Sequence, residues 1–222
     1  MMITQLYDRL TRIPLFRGVS GEDLAYIADR VNLRWMQIGS DQPFIQSSEP
    51  CHHLAVLMGG EMLRITHCDG DIYILTELLT GLEILEPEQL YGLHCRYRSD
   101  YRTRTSCQIL LISKEDIRQT FMNIPVFRIN WLNLMSVRCN RLIEALQPRP
   151  RNLKEDIMHF MGPQAVSLRI RMIDLGRYLG AARKTISDAL HELEEEGRLR
   201  LRPNYIEVVR EEAAASRLPK DE

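Results

Sequence analysis

The stretch LGRYLGAARKTISDALHELEEEG, residues 175–197, decides how the chain is read. Two helical rhythms meet at Gly180-Ala181-Ala182, and the second opens on Arg183 and Lys184. In a helix-turn-helix the first helix must stop abruptly and the chain must swing so that the second packs across it. Gly180, lacking a Cβ, can take the left-handed conformation that closes a helix, and Ala181 and Ala182 keep the turn small. Gly176 allows close approach, while Leu175, Leu179, Ile186, Ala189 and Leu190 fall at the spacings of an apolar seam. The first turns of the second helix then present Arg183, Lys184, Thr185, Ser187 and Asp188 where a DNA major groove would lie. Basic side chains there meet phosphates and guanine edges, and the acidic run Glu194-Glu195-Glu196 sits farther along. A plain helical hairpin with a solvated Arg-Lys pair fits the same residues, so the flanks must decide.

Downstream, RLRLRPNYIEVV alternates around Arg202-Pro203-Asn204 and reads as a β-hairpin, a wing beside the helix pair. Upstream, NLKEDIMHFM is helical and VSLRIRM alternates as a strand. The prolines of QPRPRN cannot continue a helix and mark a domain boundary. Before them a long helix runs from Pro125 to about Leu146. Leu132, Met135, Cys139, Leu142 and Leu146 follow the three-four rhythm of a coiled-coil seam, widened by Ile129, Ser136 and Ile143. From Val31 to about Ile112 the chain turns to short β-rich runs, HLAVLM, EMLRIT, IYILTELL and QILLIS, broken by glycines and by Cys68-Asp69-Gly70-Asp71. That spacing predicts a small antiparallel barrel or roll. Two short helices precede it, the second with Ser20 and Asp23 as its capping box, and another helix follows at Ser113. The predicted organisation is a β-roll with flanking helices over 1–124, a dimerisation helix over 125–147 and a winged helix-turn-helix over 148–222.

A chain of 222 residues, 45% hydrophobic and 27% charged, can bury a sizeable core. Its formal charge of −1 makes no global case for nucleic acid, so that case rests on the local basic patch. Cys51, Cys68, Cys95, Cys107 and Cys139 include no C-x-x-C pair and read as reduced thiols. No apolar run approaches a membrane span and the first residues carry no apolar leader, so a cytoplasmic protein without a membrane partner is expected. There is no G-x-S-x-G, H-E-x-x-H or P-loop, and the reading is a non-enzyme.

With these parts in order, the sequence resembles the catabolite activator protein family of bacterial regulators, which comprises cyclic-AMP receptors and fumarate–nitrate regulators. The resemblance covers nearly the whole chain. It implies an α+β fold: an N-terminal cyclic-nucleotide-binding-like β-roll, a long dimerisation helix and a C-terminal winged helix-turn-helix. It also implies a homodimeric, sequence-specific transcription regulator that binds double-stranded DNA with a twofold-related site, with RNA polymerase as a further partner. The alternative is a ligand-binding regulatory protein of the same fold that no longer reads DNA. Arg183, Lys184 and Asp188 occupy the family's recognition triad, where the catabolite activator has Arg, Glu and Arg, so the target sequence should differ in part.

In cyclic-AMP binders of this family a Gly-Glu-Leu and a later Arg-Ser-Ala hold the cyclic phosphate. Here Glu88, Arg98 and Ser99 match as candidate effector-binding residues. Pro87 replaces the glycine, Asp100 adds an anion beside the expected phosphate, and Leu142 and Ile143 replace the adenine-binding hydroxyl pair. These departures argue against cyclic AMP. The absence of cysteines before Cys51 argues against the family's N-terminal iron–sulfur cluster. Haem stays open through His52, His53, His67 and His94, and the small-molecule effector is left unnamed.

Overall fold

The computed structural model describes residues 8–146 and 152–210. The first helix expected from the sequence falls partly before residue 8, and the QPRPRN break and the tail from 211 lie almost wholly outside the described residues. The described residues begin with a helical turn at 8–10, a 3-10 turn Pro14–Phe16 and α1 (Gly21–Arg30). The N-terminus of α1 is fixed as the sequence predicts: Ser20 Oγ accepts from Asp23 N–H at 3.0 Å. Ser113 repeats the device for α2 (Lys114–Gln119), accepting from Asp116 N–H at 3.0 Å.

Between them eight strands form an antiparallel roll. One sheet orders β1 (Arg34–Ile38), β8 (Cys107–Ser113), β3 (His53–Gly59) and β6 (Glu83–Leu85). The other carries β5 (Tyr73–Thr80), β4 (Glu61–Cys68), β7 (Ser99–Thr103) and β2 (Pro43–Ile45). Strand β3, HLAVLMG, is buried along almost its whole length, which explains its unbroken apolar run. The core between the sheets holds Leu54, Val56, Met62, Leu79, Ile109 and Ile112, all nearly without solvent contact.

The long helix α3 (Pro125–Leu146) is anchored to this core only by its first half. Phe127 packs on Phe16 and Phe121 with ring centroids 5.3 and 5.1 Å apart, and Trp131 follows one turn later. Burying such rings contributes about 1.5–3 kcal/mol each, so the start of α3 is rigidly seated. The C-terminal unit has its own core of Ile157, Met161, Leu168, Leu175, Ile186, Leu190, Leu193 and Leu199. It is built from α4 (Leu153–Met161), β9 (Ala165–Ile170), α5 (Met172–Leu179), α6 (Arg183–Glu195), β10 (Leu199–Leu201) and β11 (Ile206–Val208).

The two units share a sheet. Strand β9 pairs antiparallel with β5, matching Tyr73 to Ile170, Leu75 to Leu168 and Thr76 to Ser167. The second sheet therefore runs β10-β11-β9-β5-β4-β7-β2 across both units. Tyr73, Phe160 and Tyr178 stack at this junction with centroids 5.2–5.6 Å apart. The Tyr178 hydroxyl donates to Asp69 Oδ2 at 2.5 Å, and that bond, with burial, pushes its pKa up to about 12. Among the described residues no helix is long and apolar enough to cross a membrane.

Candidate nucleic-acid interface and the interior of the roll

Helix α5 ends at Gly180, whose φ of 64° is left-handed. The chain then crosses so closely over Gly176 that a Cβ there would lie 2.6 Å from the Ala181 carbonyl oxygen. Ala181 N–H donates back to the Gly176 carbonyl at 2.9 Å, closing the turn. Asp174, 1% exposed, is bracketed by Arg171 Nε at 2.5 Å and an Arg177 Nη nitrogen at 3.2 Å, placing a paired carboxylate in the first turn of α5. Ile186, Ala189, Leu190 and Leu193 of α6 are buried against this scaffold.

The opposite face of α6 is open. Arg183, Lys184, Thr185 and Asp188 are exposed and Ser187 is half-buried, so the five residues read from the sequence do share the accessible start of this helix. Arg183 and Lys184 form no ion pair among the described residues. Ala182 supplies no side-chain cap, which leaves the first N–H groups of α6 without side-chain acceptors. The downstream acids are engaged inside the unit: Glu194 Oε1 accepts from Leu201 N–H at 2.7 Å, while Glu192 and Glu196 hold Lys154 at 3.1 and 2.7 Å. Their charge is thereby kept away from the basic end.

A groove of about 880 Å³ lies between the turn 70–72 of the roll, the end of β9, α5 and the wing, lined by residues 70–72, 169–172, 175 and 201–206. Arg169, Arg171 and Arg202 line it, with Asn204 and Tyr205 of the wing. Arg202 is turned by Glu207 at 2.9 Å, whereas exposed Arg169 makes no ion pair among the described residues. The alternation of VSLRIRM foretold a strand but not that its outward arginine would border a groove shared with the wing.

The candidate effector residues face three surroundings. Glu88, next to Pro87, is held by Arg138 of α3 at 2.8 Å, Arg98 is exposed, and Ser99 is buried with its hydroxyl 2.9 Å from that of Thr66. The carboxylate that does enter the roll is Glu86. It is 5% exposed with φ of 37°, and it accepts from Arg98 N–H at 2.7 Å and from the Tyr101 hydroxyl at 3.2 Å. Burial and this carboxylate push the Tyr101 pKa upward. Adjacent to Tyr101 in register, Arg64 grips Glu77 through two bonds of 2.7 Å. Burial lowers the Arg64 pKa, but the bonds to Glu77 outweigh it and hold the guanidinium charged. Asp100 accepts from Ser47 N–H at 2.7 Å and lies 3.3 Å from His67, which also meets Asp71 at 2.8 Å. His52 and His94 are exposed and His53 half-buried, and no group of three metal-ligating side chains occurs among the described residues.

On α3, Met135 packs toward the roll core, whereas Ile129, Leu132, Cys139, Leu142 and Ile143 are exposed. The open stripe thus follows Ile129, Leu132, Ser136, Cys139 and Ile143, with Leu142 at its side. The side chain of Leu146 lies outside the described residues.

A family model described as the Crp-like helix-turn-helix domain matches residues 139–213. Among solved structures, the catabolite activator protein of Thermus thermophilus is similar, with 21% identity over 91% of this chain and 96% of its own, at a TM-score of 0.50. The c-di-GMP responsive regulator CLP of Xanthomonas campestris has 18% identity over 86% of this chain and all of its own, also at 0.50. The regulatory domain of Toxoplasma gondii PKA, crystallised with cAMP, matches 63% of this chain and 50% of its own at 9% identity and a TM-score of 0.51. No curated protein sequence matches significantly. Residues 139–213 thus carry a Crp-like helix-turn-helix domain, and it follows a β-roll whose fold this chain shares with these solved structures.

Proposed function

We propose that this DNA-binding regulator acts as a homodimer, joined along α3, that places two copies of α6 in successive major grooves of a twofold-related site. The carrying observation is the exposed start of α6, where Arg183 and Lys184 lack ion-pair partners among the described residues on a rigid helix-turn-helix. A twofold dimer reading one face of DNA requires half-sites about 34 Å apart. Selection of bound duplexes from a random pool, with and without cell extract, tests this: a palindrome of that spacing is expected. A regulatory protein of the same fold that no longer reads DNA would enrich no sequence.

Arg183 acts as the main base reader. It follows the turn immediately, and its planar fork can bond guanine O6 and N7 together, which the point charge of Lys184 cannot. Arg183→Ala should relax preference at one guanine in each half-site at a cost of about 1–3 kcal/mol per site, with the salt slope nearly unchanged. Arg169, in the groove beside the wing, is placed for a phosphate. Arg169→Ala should weaken all sequences alike and reduce the salt slope by about one. Gel shifts over a salt series separate the two behaviours, and equal loss on specific and random DNA for Arg183→Ala would reassign it to the backbone.

The effector acts through the roll. Its interior is already occupied by Arg64, Glu77, Tyr101 and Glu86, which favours an effector other than cyclic AMP. RNA polymerase remains the partner implied for a regulator of this kind.

A further inference from the structure

Two of the five cysteines face each other across a pair of strand-like segments at the edge of the roll. Pro50 and Arg96 form an isolated antiparallel bridge, flanked by Cys51 N–H donating to the Cys95 carbonyl at 2.8 Å and Tyr97 N–H donating to the Glu49 carbonyl at 3.0 Å. Cys51 is therefore directly opposite Cys95, and residues opposite one another on an antiparallel pair project to the same face. The pair makes one of the two bonds of a hydrogen-bonded position, and at such a position the Cα atoms lie about 5.5 Å apart, within the range of roughly 4.4–6.8 Å that a disulfide spans.

The two sulfurs differ in setting. Cys95 is half-buried beside the exposed loop 92–94, where Leu93 is 97% exposed. Its Sγ lies 3.2 Å from Lys114 Nζ and 3.3 Å from the Gly92 carbonyl. The ammonium places a positive charge against the sulfur that would attack an oxidant. Cys51 is 2% exposed, its Sγ is 3.7 Å from the His53 carbonyl, and burial pushes its thiol pKa upward. An accessible sulfur beside a cation, backed by a sheltered second thiol, is the arrangement of an attacking and a resolving cysteine.

We infer that Cys51 and Cys95 form a peroxide-responsive thiol pair, with Cys95 attacking, Cys51 resolving and Lys114 as the positioning cation. In the first step the Cys95 sulfur attacks one oxygen of a hydroperoxide. The O–O bond breaks, Cys95 becomes a sulfenic acid, and the leaving oxygen takes the thiol proton as an alcohol, or as water when the oxidant is hydrogen peroxide. In the second step the Cys51 sulfur attacks the sulfenic sulfur, the S–OH bond breaks, a disulfide forms, and the hydroxide leaves as water with the Cys51 proton. Two thiols are oxidised and one peroxide is reduced. The crosslink would tie the start of β3 to the segment that carries Glu86 and Glu88, the latter held by Arg138 of the long helix.

The test uses the full chain, fully reduced, exposed to hydrogen peroxide and then alkylated. Mass spectrometry should show loss of two hydrogens and a single crosslinked peptide pair joining Cys51 to Cys95. Cys51→Ala should stop at a Cys95 sulfenic acid that dimedone traps, and Cys95→Ser should abolish the reaction. Lys114→Met should slow it several-fold while leaving the circular dichroism and melting profile unchanged. Cys139→Ser, which alters the exposed stripe of α3, should leave the crosslink intact. Preferential oxidation of Cys68 or Cys139, a disulfide through Cys139, or no crosslink at peroxide levels that oxidise free thiols would each overturn the assignment.

Discussion

Replacing Glu77 by alanine is expected to destabilise the folded chain by about 3–5 kcal/mol, because removing one partner leaves the other charge buried and uncompensated. Glu77 is 9% exposed, and both its oxygens accept from Arg64 at 2.7 Å; the Arg64 side chain retains only 24% of its exposure. After the substitution the guanidinium stays charged inside the roll, with the Tyr101 hydroxyl beside it. For a chain of this size each kcal/mol lowers the melting temperature by roughly 2–4 °C, so a fall of about 10 °C should appear in calorimetry or circular dichroism. The double change Arg64→Met with Glu77→Leu should recover most of it, since an apolar pair of similar volume is near neutral or better in place of a buried ion pair. A loss below about 1 kcal/mol for Glu77→Ala would mean that water screens the pair as it does a surface bridge. The position matters beyond stability, because Glu77 lies on β5 where its register with β9 shifts.

The reader unit was legible in the sequence because its constraints are local. A left-handed stop at Gly180, a missing Cβ at Gly176 and apolar residues three and four apart each act within one or two turns, and all agree. The start of α3 was legible for the same reason, since Pro125 presets the first turn. Its seam was only partly legible: the heptad rhythm gives Met135 and Leu132 equal standing, and the roll core, which no helical period encodes, takes Met135. The candidate effector residues were the least legible. Glu86 and Glu88 flank Pro87, and nothing in their spacing reveals which turns inward. The choice is made when the chain returns into β7 and offers Arg98 N–H, just before the strand, and the Tyr101 hydroxyl to Glu86, while α3 offers Arg138 to Glu88.

The junction between the units lay equally beyond periodicity. VSLRIRM alternates as any half-buried strand does, but its pairing with β5 joins segments far apart in sequence. Once paired, β5 has one edge on β4 inside the roll and the other on β9 of the C-terminal unit, so backbone hydrogen bonds join the roll to the unit that presents Arg183. The Tyr73, Phe160 and Tyr178 stack and the Tyr178–Asp69 bond stiffen the same joint.

Charging the exposed stripe of α3 should have the largest effect on DNA binding. Ile129, Leu132 and Ile143 are 55–57% exposed and Leu142 is 67% exposed, on a helix whose buried anchors, Phe127 and Trp131, lie on its other side. A monomer would leave this stripe in water, whereas a second copy would cover it along its length. Leu132→Asp combined with Ile143→Asp buries two like charges against their twofold mates, while removing nothing from the roll core. Light scattering should therefore change from twice 25.9 kDa to 25.9 kDa, with little loss of melting temperature measured on the monomer. Each half-site contact would then have to form alone, without the gain of about 10²–10⁴ that linking two readers confers. Affinity for the selected palindrome should fall by at least about 100-fold, while affinity for an isolated half-site stays nearly constant. A double variant that remains dimeric would place the interface elsewhere, and a monomer that still bound the palindrome at full strength would show that the two readers are not joined through α3.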